Sequence, residues 1–228
     1  TCAIMDDGSA WCWDLEFVEI ASWYFEVRIG WPDYPKEIEI PSGKVAVEIE
    51  SEYTHSCAIV DDGSIYCWTT EYPNDHAIYL GGGGVCEGIK VGSDPLNSHN
   101  NWVSSCPSPV RVSLPIESHA VDISIGFGHS CALIDDGSIY CWGDNTYGQL
   151  GDGTTADRMT PVLVSGGHSW ASISAGYVQT CGVTIGDDAY CWGTNGSGLG
   201  DGGGGTSTTP VLVGGGHSWA SVSAATYY

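Results

Sequence analysis

The chain has 228 residues, with 28 Asp or Glu against only 6 Lys or Arg, giving a formal charge of −22 at pH 7. That balance excludes a nucleic-acid binder, because phosphate recognition depends on clustered cations and Arg28, Lys36, Lys44, Lys90, Arg111 and Arg158 form no basic stripe. An apolar fraction of 42% excludes a solvated acidic tail, and the absence of an apolar run near ~18 residues excludes a spanning helix within the sequence. The 33 glycines, 10 tryptophans and 12 tyrosines are the profile of many short strands joined by turns.

The first unit in the chain runs from Cys2 to Cys12, and its pattern recurs at Cys57 to Cys67, Cys131 to Cys141 and Cys181 to Cys191. In every copy a tryptophan follows the second cysteine: Trp13, Trp68, Trp142 and Trp192. Between the cysteines, alternating residues flank an Asp-Asp-Gly turn, as at Asp135, Asp136 and Gly137. Glycine in the left-handed region closes such a three-residue loop, and that register sets the two cysteines opposite each other. Facing strand positions lie within disulfide reach. Four hairpin staples are therefore predicted, each worth about 2.7 kcal/mol on the chain-entropy model. Zinc is disfavoured, since nine intervening residues on opposite strands do not converge four ligands.

The first cysteines are separated by 55, 74 and 50 residues. The period divides the chain into repeat 1 (1–50), repeat 2 (51–122) with an inserted loop at about 70–107, repeat 3 (123–171) and repeat 4 (172–228). Cys86 and Cys106 fall inside the insertion and are expected to form a fifth bridge. Repeats of this kind bury their apolar faces only against neighbouring copies. The four tryptophans are expected to fill those seams. Trp23, Trp31 and Trp102 lie off the repeat positions and are candidates for contact surfaces.

The third copy continues Trp142-Gly143 through Gln149-Leu150-Gly151, then Thr160-Pro161-Val162 and Ser172-Ile173-Ser174-Ala175-Gly176. This resembles the repeat of the regulator of chromosome condensation family. The resemblance implies an all-β fold of β-propeller-type repeats, four blade-like units of about 50 residues each. It is specific over the last hundred residues and fragmentary before them. The cysteine pairs resemble those of extracellular, disulfide-bearing bacterial members. Nuclear members activate a small GTPase and touch chromatin through loops and basic segments that have no counterpart here, so that activity does not carry over.

The segment 221–228, with Ser221, Val222, Ser223, Tyr227 and Tyr228, aligns with 172–179, which runs directly into Thr180-Cys181. Thr1-Cys2 is therefore the continuation that the last residues call for. The terminal strand can close a ring of four with the first blade of its own chain, complete the first blade of a neighbouring copy, or mark a unit of a longer tandem chain. The chain opens in mid-motif at Thr1 without a methionine, as expected where its start has been removed.

Chemistry is sparse by comparison. His55, His129, His168 and His217 recur at equivalent repeat positions, which suits structural hydrogen bonds better than a catalytic centre, and no Gly-x-Ser-x-Gly elbow accompanies them. The loop holding Asp144, Asn145 and Asp152 lacks the spacing of a calcium loop, and its residue types favour turns in any case. Asn195 opens the one N-glycosylation sequon. The expectation is a secreted or cell-surface, non-enzymatic protein without cofactor or metal, whose partners are copies of itself, head-to-tail in a filament or tandem array, or other proteins. A discrete propeller binding module is the alternative, and an extracellular hydrolase a third.

Overall fold

The computed structural model describes residues 1–13, 36–41, 43–52, 55–69, 72–73, 80–82, 88–90, 102–104, 108–194 and 198–224. All regular elements there are strands. The first sheet has three, β1 (Cys2–Ile4), β2 (Ala10–Cys12) and β3 (Lys36–Ile38), in that order. The second combines β4 (Ala46–Ser51), β5 (Ser56–Val60) and β6 (Ile65–Trp68) with β10 (Val110–Arg111). Between β6 and β10 the insertion carries its own sheet, β7 (Tyr72–Pro73), β8 (Gly88–Lys90) and β9 (Trp102–Ser104), ordered β7-β9-β8. The third and fourth sheets are meanders of four: β11 (Ala120–Ile125) to β14 (Arg158–Leu163) through β12 (His129–Ile134) and β13 (Ile139–Gly143), then β15 (Trp170–Ala175) to β18 (Ser207–Leu212) through β16 (Gln179–Thr184) and β17 (Ala189–Gly193).

These are β-propeller-type blades. Consecutive sheets lie against one another, β4 on β1, β11 on β4 and β5, and β15 on β11 and β12. The first strand of each full blade precedes its cysteine hairpin, so the second sheet begins at Ala46. The apolar clusters sit between blades: Trp142, Ile123 and Ile134 of the third blade pack with Ile59, Ile65 and Leu80 of the second. Trp192, Trp170 and Ile173 of the fourth pack likewise with Leu133, Ile139 and Leu150 of the third. Each blade therefore completes its neighbour's core, as a repeat fold requires. Among the described residues, no helix is long and apolar enough to cross a membrane.

The hairpins follow from the Asp-Asp-Gly-Ser sequence. Gly8, Gly63 and Gly137 adopt φ of 81°, 74° and 83°, and their amides donate back to the carbonyls of Met5, Val60 and Ile134 at 2.8, 2.8 and 2.9 Å. The second aspartate of each turn accepts the following serine amide: Ser9 to Asp7 at 2.9 Å, Ser64 to Asp62 at 3.1 Å and Ser138 to Asp136 at 2.8 Å. The turn is thus held by side-chain capping as well as by glycine. In the fourth copy Asp187 takes the left-handed position at φ 64°, and the Thr184 hydroxyl accepts the Asp188 amide instead.

This register brings Cys2 opposite Cys12, Cys57 opposite Cys67, Cys131 opposite Cys141 and Cys181 opposite Cys191, and all four pairs are disulfides. Their Cα separations of 4.0 to 4.1 Å are shorter than the roughly 4.5 Å expected of facing strand residues. Cys86 and Cys106 lie outside the described residues.

The same substitution at two equivalent turn glycines should have unequal costs. A Cβ on Gly137 would meet nothing closer than Ser169 at 3.4 Å, so Gly137→Ala bears only backbone strain, about 1 kcal/mol. A Cβ on Gly63 would stand 2.8 Å from the His119 Cα, a backbone atom, so Gly63→Ala should cost at least about twice as much. Chemical denaturation of the two variants checks the ranking.

Candidate functional site

The repeated feature of the fold is the seam between blades. At each seam the carbonyl of the hairpin-turn residue accepts the amide that opens the next inner strand. The pairs are Ala46 to Gly8 at 3.0 Å, Ala120 to Gly63 at 3.0 Å and Trp170 to Gly137 at 2.8 Å. The fourth hairpin does the same, for Trp219 N–H donates to the Asp187 carbonyl at 2.8 Å. A second contact recurs deeper along the inner strand. Ile125 N–H donates to the Glu50 carboxylate at 2.9 Å, Ala175 N–H to the Ser124 hydroxyl at 3.0 Å, and Ala224 N–H to the Ser174 hydroxyl at 3.0 Å. Residues 219–224 therefore occupy the place of an inner strand beside the fourth blade, although 221–224 are not paired into a sheet. Among the described residues, β1 is the edge strand of its sheet and pairs only with β2.

Three of the four repeat tryptophans fill seams. Trp68, Trp142 and Trp192 are essentially inaccessible, and Trp192 Nε1–H donates to the Gln149 carbonyl at 2.9 Å. Trp13 departs from the expectation that all four do so: it is 37% exposed, because no preceding blade covers the first sheet among the described residues. Trp23 and Trp31 lie outside the described residues, and Trp102 is on β9.

His55 and His129 form hydrogen bonds across the seams. His55 Nε2 lies 2.5 Å from the Ser130 hydroxyl and His129 Nε2 lies 2.8 Å from the Thr180 hydroxyl, each bond crossing a seam. Thr180 gives its proton to the Gln149 carbonyl at 2.8 Å, so His129 must be the donor through Nε2–H, leaving Nδ1 as a buried lone pair without a hydrogen-bond partner. Burial pushes the His129 imidazole down to about 4, and burial together with the neighbouring His129 pushes His55 down to about 3. Both are neutral at physiological pH. The fourth copy places Gln179 at this position.

Carboxylates gather at the seam between the second and third blades, a grouping that composition alone reads as solubility. Burial first, and then the Asp122 and Glu50 charges, raise the Glu48 carboxyl to about 7. Glu48 hydrogen-bonds Asp122, whose own carboxyl is raised by burial. The signal was present as equivalent inner-strand positions, where Glu48 and Asp122 align with Ser172. In the loop after the third hairpin, the carboxylates considered for calcium are engaged locally: Asp144 accepts from Thr146 and Gln149, and Asp152 from Thr154 and Arg158.

Of the other candidate residues, Cys2 belongs to β1 and Thr1 is exposed, while Ser221 and Ser223 are exposed and Val222 half-buried. Tyr227, Tyr228 and the sequon residue Asn195 lie outside the described residues. Asn145, at the Asn195 position of the third repeat, is fully buried. Its amide nitrogen donates to Asp152, Thr154 and Ala156, and its oxygen accepts the Leu150 amide.

Two family profiles, both described as the Regulator of chromosome condensation (RCC1) repeat, match residues 120–149 and 136–183. Residues 120–183 thus match the RCC1 repeat. Over 130 residues it is 28% identical to the Ultraviolet-B receptor UVR8 of Arabidopsis thaliana, covering 57% of this chain and 24% of the receptor. Over 169 residues it is 29% identical to the E3 ubiquitin-protein ligase HERC2 of Homo sapiens, covering 72% of this chain and 3% of the ligase. The chain thus spans a quarter or less of these curated relatives. Among solved structures, yeast RCC1 (Prp20) bound to Kap60 superposes with a TM-score of 0.68 at 19% identity, covering 98% of this chain and 49% of that one. The likeness in fold therefore takes in the described residues of the first two repeats as well.

The seam titrations have opposite signs. Neutral His55 and His129 contribute stability that is complete above the unfolded value near 6.5 and is lost as pH falls towards their folded values. His129→Gln keeps a donor without a titrating ring and should reduce the loss between pH 6.5 and 4 by up to about 1.4 kcal/mol per pH unit. Glu48 works in reverse: its contribution is complete below 4.5 and is lost as pH rises through about 7. Glu48→Gln should flatten that neutral-side decline. Urea denaturation from pH 4 to 8 reads both.

Proposed function

We propose that the chain is a non-enzymatic structural and interaction protein of the extracellular or cell-surface space, whose disulfide-stapled RCC1 blades associate head-to-tail into a filament or tandem array. Four hairpin disulfides support an oxidising compartment, since paired thiols persist as bridges mainly outside the cytosol. The observation that carries the self-association is the pair of bonds from Trp219 to Asp187 and from Ala224 to Ser174, which hold 219–224 in an inner-strand place. Among the described residues, β1 is a cysteine strand with no inner strand on its free edge.

Register makes the fit specific. Inner strands pair with cysteine strands as Glu50 with Cys57, Ser124 with Cys131 and Ser174 with Cys181, always seven residues apart. The same phase sets Ser223 against the Cys2 of a neighbouring copy and Ala224 against its Thr1. Strand addition at an open edge gives main-chain hydrogen bonds as affinity and side-chain phase as specificity. A contact of this kind is heterologous, so it extends into arrays unless its rotation closes.

A discrete protein-binding module is the second reading. Met159, Leu163 and Leu212 stand exposed on the outermost strands β14 and β18, a surface open to another protein. Light scattering and electron microscopy of the purified chain separate the two. The proposal expects mass to grow with concentration in whole-chain steps and particles to join end to end; discrete single-copy particles at every concentration, with a heterologous partner recovered, would establish the module instead.

A further inference from the structure

We propose that the rim over the seam between the second and third blades docks a basic polypeptide segment, which lays apolar side chains on Ile116 and Val121 and sets Lys or Arg against Glu117 and the turn aspartates. This surface lies between blades that have neighbours on both sides, and it does not depend on the head-to-tail association above.

The rim is built by two alternating backbone bonds. The hairpin-turn carbonyls of Gly8, Gly63 and Gly137 accept the amides of Ala46, Ala120 and Trp170, which open the inner strands of the next blades. The first aspartate of each turn then donates back to the residue ahead of its own inner strand: Asp61 N–H to the Val45 carbonyl and Asp135 N–H to the His119 carbonyl, both at 3.0 Å. Every Asp-Asp-Gly turn is thereby held on one rim, beside the start of an inner strand. The second aspartate caps the turn, Asp62 on Ser64 and Asp136 on Ser138. The first has no such duty, for the Asp61 side chain makes no hydrogen bond among the described residues. Nearby cations are already engaged: Lys44 bonds Asp62, and Arg111 donates to the Ser64 hydroxyl at 3.2 Å.

Apolar groups stand out of the same rim. The ladder skips from Ala46 to Glu48 and from Ala120 to Asp122, so Val47 and Val121 are bulged out of register, and they are 59% and 54% exposed. Ile116 is 95% exposed. It sits in a turn closed by Ser118 N–H on the Pro115 carbonyl at 3.2 Å, in which Glu117 holds φ 64°. That turn departs from its equivalents. The residue three before the inner strand is Gly43, Gly167 or Gly216 in the other blades, at φ 85°, 64° and 63°, and Glu117 only before β11. A glutamate in the left-handed region carries a backbone cost that glycine avoids, and an isoleucine left in water contributes no burial. The blade calls for neither residue, since Gly166 and Gly167 make the same turn before β15.

Charge complementarity selects the occupant. Glu117 and Asp61 form no hydrogen bond among the described residues and flank the exposed Ile116 and Val121. A partner must therefore bring positive charge to the rim and apolar side chains to its centre. Exposed ion pairs alone hold weakly, so covering Ile116 supplies the affinity while the carboxylates steer and align the segment.

Isothermal titration of the chain with a synthetic peptide of alternating Lys and Leu tests the site, with polylysine and the matching Glu-Leu peptide as comparisons. The expected result is saturable binding of the Lys-Leu peptide alone, weakened about tenfold by Ile116→Ser and by Glu117→Gly and unchanged by Glu37→Gln on the exposed strand β3. Glu117→Gly should melt at the same temperature as the parent chain or higher, because glycine is at ease at this φ, which separates lost binding from lost fold. Absence of binding, equal binding of the Glu-Leu peptide, or binding of polylysine as tight as that of the Lys-Leu peptide would overturn the proposal. Self-association of the chain abolished by Ile116→Ser would overturn it too, giving this rim to a second copy.

Discussion

The third and fourth blades depend on one contact made at both of their preceding seams, the indole of Trp142 laid on Gly81 and that of Trp192 on Gly151. Among the described residues, three of the four apolar clusters lie between sheets and draw side chains from both. Stability in such a fold is a sum over neighbours, so each seam matters more than any blade. At Gly81 and Gly151 the absence of a side chain lets the indole approach the backbone, and the turn carbonyl of each hairpin fixes the next strand at a constant height. The polar bridges from His55 to Ser130 and from His129 to Thr180 then set the relative position of successive blades without bearing charge.

The disulfides act one level below. Each lies within a hairpin and ties two strands already adjacent, so it restrains the unfolded hairpin and does not weld one blade to another. This separates two roles that a cysteine-rich sequence tends to merge. Blades are made durable by sulfur, while their assembly is left to packing and backbone hydrogen bonds.

Much of this was legible because it is periodic. The Asp-Asp-Gly-Ser turn with nine residues between cysteines dictates a three-residue loop, and the loop dictates that Cys131 faces Cys141. The inner strand was harder to place: Ala46 to Ser51 contains no cysteine, so the cysteine spacing does not say which hairpin it pairs with. The exposure of Trp13 could not be read at all from its own motif, which matches Trp142 and Trp192, since burial is decided by the blade that precedes it. The Glu48 and Asp122 pair was hidden for a related reason. The two are far apart in sequence and meet only because equivalent strand positions stack across a seam.

The central claim is that the edge of β1 and the segment 219–224 are two halves of one seam. Hydrogen exchange at the β1 amides, Cys2 to Ile4, addresses it most directly when followed as a function of protein concentration. The account predicts that these amides exchange rapidly in dilute solution and become protected as concentration rises, with Val222 to Ala224 slowing in parallel. Protection that does not change with concentration, or a rise confined to the outer strands β14 and β18, would contradict it.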